Sequence, residues 1–338
     1  MQALVCERPG EAALRDVPVP AAGPGEVVVK VGVALTCGTD LKLLRRGHPK
    51  IPFPVTLGHE FAGTVHAAGE GAPFTAGERV TCAVSGPCGD CPECRAGREN
   101  LCATAFEAPV FGGFAEYVRV PARVVARGLR AFRERVSFEA AALLDPLASV
   151  LHGVARAHMK ADATVLVAGA GPIALLFAIL GREKGARVLV AGRRPSRLPS
   201  FAAQAAEPVD LTREDLAAAV SSRTDGRGAD VVVDTTGDAA LVTALLPLVR
   251  RGGTLLLFAG MPAGTVLALD AARVHYDEVL VTGSFHYTTG DADRALELLT
   301  GGWIPVRALV TATRPLAEWK QAFDDLEKGV GMKTALVP

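Results

Sequence analysis

The run VLVAGAGPIA at residues 165–174 constrains this 338-residue chain more than any other feature. An uncharged, β-branched stretch leads into the pattern Gly169-x-Gly171-x-x-Ala174, and an apolar helical pattern follows over 173–184. The first glycine permits a tight turn, the second lets a pyrophosphate approach the backbone, and the small third residue allows close helix–strand packing. Free N–H groups at the helix start, around Pro172 and Ile173, offer positive partial charge to the phosphates. A second apolar strand follows at 188–191. Strand, turn, helix and strand together predict a dinucleotide site at Gly169, Gly171, Pro172, Ile173 and Ala174, where a turn motif alone would be weak.

The same rhythm continues through ADVVVDTTG, TLLLFAG and EVLVTGSF. Alternating strands and helices of this kind predict an α/β fold with a doubly wound parallel sheet. Residues 1–150 differ. Gly and Pro punctuate short runs at 26–33, 78–84 and 114–120, the mark of an irregular, mostly β domain. A domain boundary is expected near residue 150. The tail predicts helices over 291–299 and 316–328 and a short closing strand. Residues 163–181 carry no charge and approach membrane length, but Gly169, Gly171 and Pro172 break them into strand, turn and helix. The opening MQALVCERPGEAALRDV is charged early, unlike a signal peptide. A soluble, cytoplasmic protein is expected. Basic and acidic residues both number 36, so nothing draws the chain toward nucleic acid or an anionic membrane.

The end of the second strand bears on the cofactor. An NAD site usually places Asp or Glu there for the ribose 2′-OH, whereas this chain reads Gly192-Arg193-Arg194-Pro195. Without a carboxylate, and with two guanidinium groups following, NADP(H) is favoured and NAD(H) possible. Arg197, one helical turn farther on, is a weaker candidate for the 2′-phosphate and is expected to be solvated.

Two constellations suggest metal. Cys88, Cys91, Cys94 and Cys102 form C-x2-C-x2-C-x7-C. Four thiolates on a compact lobe, here taken as 84–105, close a tetrahedral shell around zinc and leave no place for substrate. The second set is dispersed: Cys37-Gly38-Thr39-Asp40, Gly58-His59-Glu60, and Asp145 at the edge of an apolar helical run. Cys37, His59 and Asp145 would supply S, N and O to an open zinc site, with Glu60 nearby or exchanging onto the metal. Spacing alone is weak support, since a buried cysteine such as Cys37 or a turn histidine such as His59 is usually structural.

At these motifs, together with GHEFAG at 58–63 and Gly69, the chain resembles the zinc-dependent medium-chain dehydrogenase family over essentially its whole length. The resemblance implies a GroES-like catalytic domain of residues 1–150 completed by 285–338, with a Rossmann cofactor domain at 151–284 between them. It also implies two Zn2+ ions per chain and homodimers or homotetramers built through the Rossmann sheets. It makes Cys37 and His59 zinc ligands, Glu60 a carboxylate of the ligand shell, Asp145 the remaining ligand and Thr39 the acceptor of the substrate proton. Phe285-His286-Tyr287 looks like the sorbitol and threonine dehydrogenase branch, with Phe285 beside the cofactor. Lys42 stands where the family often has a proton-relaying histidine. In the polyol branch a basic residue, commonly Arg, occupies the place of His286. Leu43, Phe53, Phe111 and Tyr287 are the expected pocket residues. The implied activity is hydride transfer between NAD(P) and a small secondary alcohol, polyol or amino alcohol. A non-catalytic zinc-stabilised dinucleotide sensor and a zinc-free quinone or enone reductase of the same fold are the rival readings, and a full open ligand set counts against both.

Overall fold

Strand Val27–Leu35 alternates little because it lies mid-sheet, buried along its length except at Lys30 and Gly32. A computed structural model describes residues 1–48 and 51–338. They form two compact units, one of Met1–Ala148 with Tyr287–Pro338, the other of Ser149–His286.

In the first unit the central sheet runs Val310–Pro315, Lys333–Val337, Val27–Leu35, Glu60–Ala68, Arg79–Cys82 and Leu129–Ala131, and Tyr117–Val120 also pairs with Val27–Leu35. Pairing is antiparallel apart from the two C-terminal strands, which are parallel to each other. Gln2–Arg8 lies between Glu11–Asp16 and Val55–Thr56 in a smaller sheet. The core holds Leu4, Val29, Leu57, Phe61 and Phe114, and Trp319 and Phe323 of helix Trp319–Lys328 seal it. The C-terminal segment therefore supplies both sheet and core to the N-terminal one.

In the second unit six parallel strands are ordered Glu207–Asp210, Arg187–Gly192, Thr164–Ala168, Ala229–Asp234, Val249–Leu257 and Leu280–Gly283. Counted along the chain this is 3-2-1-4-5-6, the Rossmann order, whose direction reverses beside the first strand. The uncharged stretch resolves into strand Thr164–Ala168 and helix Pro172–Glu183. Among the described residues no helix is long and apolar enough to cross a membrane.

Gly63 marks where this packing has no slack. A Cβ there would press on the Lys30 carbonyl across the sheet. Gly63→Ala should destabilise the protein by about 1–3 kcal/mol, the usual cost of overpacking, read as a lower denaturant midpoint with unchanged m-value.

Candidate active site and metal centres

Strand register builds the first centre. Leu35 lies opposite Glu60, so Cys37 and His59, just beyond the paired ends, come together. Ala335 also lies opposite Leu35, which brings Lys333 in from the C-terminal strand. The donor atoms of Cys37, His59 and Glu60 lie within 4.8 Å of one another, with His59 and Glu60 buried. Sulfur, imidazole nitrogen and carboxylate oxygen are the mixed set that suits an open zinc site.

Two further side chains hold this trio. Asp40, fully buried on helix Gly38–Arg46, accepts the Gly58 N–H at 3.0 Å and lies 3.2 Å from His59 Nδ1. With Nδ1 engaged, Nε2 is left for a metal and the ring orientation is set. Gly58 has φ +92, and a Cβ there would fall 2.5 Å from the Phe114 nitrogen, so only glycine makes this turn. Burial pushes the His59 imidazole down, but Asp40 and then Cys37 hold it well above its ordinary value. Lys333 Nζ donates to Glu60 Oε2 at 2.5 Å and to the Thr36 carbonyl at 3.1 Å. Burial raises the Glu60 carboxyl, and the Lys333 ammonium opposes that rise.

Asp145 is not among the gathered donors. It lies at the start of helix Leu144–Arg156, and its Oδ1 accepts the Tyr287 hydroxyl at 2.6 Å. Its charge still acts on Glu60 and Lys333, so it borders the trio. Burial, with Asp145 adding to it, holds the Tyr287 phenol well above its usual range, which keeps it a donor. Thr39 and Lys42 are exposed on helix Gly38–Arg46. Of the expected pocket residues, Phe111 packs its ring 5.6 Å from that of His59. Phe53 is partly buried against the core, and Tyr287 is buried on Asp145. Leu43, only 2% exposed, is a core side chain, because helix Gly38–Arg46 turns its apolar face inward.

The second centre is the cysteine lobe. The sulfurs of Cys88, Cys91, Cys94 and Cys102 all lie within 4.8 Å of one another. Cys88 is 3.6 Å from Cys102 and 3.9 Å from Cys94. A tetrahedron with ~2.3 Å zinc–sulfur bonds has edges of about 3.8 Å, so the four thiols fit that ion. Backbone N–H groups of Cys88, Gly89 and Cys91 point at lobe sulfurs from 3.4 Å, which favours anionic sulfur. Burial pushes the Cys94 thiol up to about 12, whereas for Cys102 burial is outweighed by hydrogen bonds from Cys88 and Thr104, and it falls to about 6.

In the second unit Gly171 caps helix Pro172–Glu183, which Pro172 opens and Ile173 follows; Ala174, on its first turn, is fully buried. A Cβ at Gly171 would meet nothing within 4 Å, which leaves a cradle for phosphate, while one at Gly169 would strike Thr235. Gly192 is tight: its Cβ would come 2.5 Å from that of Ala170. Arg193 and Arg194 are exposed at the strand end. Arg197 contradicts the expectation of a solvated residue. It is 6% exposed and donates to the Ala170 carbonyl at 3.3 Å, and its Nε and Nη2 have no partner among the described residues. Burial, then Arg194, lower it to about 10. Its short helix, Pro195–Arg197, folds the side chain back toward the glycine turn. Phe285 is 58% exposed and borders His286, which has φ 55.

Residues 23–129 match the alcohol dehydrogenase GroES-like domain, and residues 172–301 match the zinc-binding dehydrogenase family. D-arabitol-phosphate dehydrogenase of Enterococcus avium is 32% identical, over 99% of this chain and 97% of that protein. The chain belongs to the zinc-dependent medium-chain dehydrogenase family. As a family member it is an NAD(P)-dependent, zinc-using oxidoreductase with a GroES-like domain and a Rossmann domain. Sorbitol dehydrogenase of Bacillus subtilis strain 168 is 30% identical over 96% of this chain and 93% of its own length. A structure described as a zinc-binding dehydrogenase of Sinorhizobium meliloti 1021, bound to NADP, superposes with TM-score 0.90 at 32% identity, covering 100% of this chain and 99% of that one.

Asp40 and Lys333 were not read as working residues in the sequence, and Arg197 was read there only as a weaker, solvated candidate. Asp40 had a usable signal, since three positions after Cys37 on a helix places it one turn on. Lys333, 273 residues from Glu60, had none.

Purified dehydrogenase should carry close to two zinc ions per chain. Cys37→Ser and Cys91→Ser should each remove about one, the former abolishing turnover with the fold kept, the latter chiefly lowering thermal stability. Asp40→Asn should weaken zinc retention by ~10–100-fold in chelator competition.

Proposed function

We propose that this dehydrogenase oxidises a secondary hydroxyl of a polyol or phosphorylated polyol, with NADP(H) favoured over NAD(H). The observation that carries this reading is the contrast between its two donor sets. Four thiols satisfy an ion by themselves, while Cys37, His59 and Glu60 offer three donors, one of them shared with Lys333. A protein that needed zinc for folding alone has no use for the second set. Polyol and sugar-acid dehydrogenases recur among the relatives that align over nearly the whole chain, L-galactonate-5-dehydrogenase of Escherichia coli K12 among them at 32% identity over 96% of this chain and 94% of that protein.

Cys37, His59 and Glu60 would hold the zinc, and Asp145 stands beside them on its Tyr287 hydrogen bond. When bound, zinc supplies Lewis acidity that favours the alkoxide. Asp40 keeps His59 oriented, and Lys333 keeps a hold on Glu60. Thr39, exposed in the first turn of its helix, relays the hydroxyl proton of the substrate, taking it on its oxygen as its own hydroxyl proton passes to solvent. Gly169, Gly171 and the start of helix Pro172–Glu183 take the pyrophosphate. Arg193, Arg194 and the Nε and Nη2 groups of Arg197 take the 2′-phosphate. The chain pairs with a second copy along edge strand Leu280–Gly283, which among the described residues pairs only with Val249–Leu257 and exposes Leu280.

A panel of polyols, polyol phosphates and amino alcohols, scored with both cofactors by nicotinamide absorbance, tests the substrate class. Turnover of simple alcohols alone would contradict it. Thr39→Val should cut turnover by roughly 10²-fold or more without loss of zinc. Replacing Arg193 and Arg194 by Leu should lower kcat/KM for NADP about ten- to hundredfold and leave NAD nearly unchanged. These substitutions test the preference more cleanly than Gly192→Asp, whose Cβ would collide with Ala170.

A further inference from the structure

The four-cysteine lobe touches the rest of its unit at a point that matters for the metal centre. Glu99 opens the short helix Glu99–Leu101, and its carbonyl accepts the N–H of the lobe ligand Cys102 at 3.1 Å. Its carboxylate leaves the lobe. Oε2 accepts the Thr289 N–H at 2.8 Å and the Thr289 hydroxyl at 2.5 Å, across 190 residues of sequence. Thr289 is the first residue of helix Thr289–Thr300, whose capping box of Thr288 and Asp291 satisfies other groups of that turn. The first N–H of a helix has no partner within the helix. A carboxylate there gains from charge assistance and from the helix dipole.

Two residues before Thr289 stands Tyr287. Its hydroxyl donates to Asp145 at 2.6 Å and lies 3.4 Å from the N–H of Val84, where the chain enters the lobe. The lobe thus grips the segment from 287 to 289 at two points. Tyr287 is 4% exposed, so its ring has little room to adapt if that segment shifts.

We propose that Glu99 is a positioning residue, through which the cysteine lobe holds Tyr287 on Asp145 and so fixes the carboxylate beside Cys37, His59 and Glu60. The inference rests on the reading of Asp145 as part of the metal centre. It gives the lobe a second role besides stability: disorder at Cys102 releases Glu99, then Thr289, then the Tyr287–Asp145 bond.

The chain has three tyrosines, Tyr117, Tyr276 and Tyr287, so 3-fluorotyrosine labelling of the zinc-loaded protein gives a small, assignable fluorine spectrum, with Tyr287→Phe identifying one line. Glu99→Ala should move the Tyr287 line and leave the other two in place. Zinc should stay near two per chain, and kcat/KM should fall by roughly 2- to 30-fold, the range of coupling through such networks. Glu99→Gln, which keeps an acceptor, should recover most of the loss. In a Tyr287→Phe background Glu99→Ala should cost nothing more, because both changes break the same chain of contacts. An unmoved Tyr287 line, or a full additional loss in the Tyr287→Phe background, overturns the proposal. If Glu99→Ala does not fold, Thr289→Val removes one of the two bonds and takes its place, with the same line and the same background deciding. Unchanged kinetics in Asp145→Asn would instead overturn the reading of Asp145 on which the proposal stands.

Discussion

The buried pair of Lys333 and Glu60 ties the two ends of the first unit to its chemistry. Both side chains are almost fully withdrawn from water, at 4% and 1% exposure. Removing either would strand a charge, at a cost of about 3–5 kcal/mol. The pair forms only when strand Lys333–Val337 lies beside Val27–Leu35. Residues far apart in the sequence, from the N-terminal and C-terminal segments, must therefore pair before Glu60 has its partner.

Around that pair the centre is graded from fixed to adjustable. Asp40 fixes His59, since two hydrogen-bonded groups and a left-handed glycine leave the ring no alternative. Glu60 is shared between the ammonium and the position a zinc would take, so it is the donor with two uses. Asp145 is restrained from the far side by Tyr287. Three gathered donors of mixed type suit an open zinc site, whereas four thiols suit a closed one.

Much of this was legible in the sequence because the physics is local. Gly169-x-Gly171-x-x-Ala174 after an apolar strand specifies turn, helix and phosphate cradle within ten residues. The cysteine spacing specifies a compact tetrahedron for the same reason. Cys37, His59 and Glu60 carried little signal by spacing and became readable through family resemblance, because antiparallel register, not sequence distance, brings them together. Lys333 was invisible on both counts. Arg197 was misread because charge suggests solvent, and nothing in PSRL announces that the short helix Pro195–Arg197 folds its guanidinium back onto Ala170.

The central claim is that this chain moves a hydride from a secondary carbinol to a nicotinamide. It is tested most directly with a polyol deuterated at that carbon, incubated with enzyme and NADP, and mass analysis of the reduced cofactor. The account predicts deuterium at the nicotinamide C4, and a slower rate with the labelled substrate where transfer limits turnover. Reduced cofactor without label, or no reduced cofactor with zinc present at both centres, would contradict it.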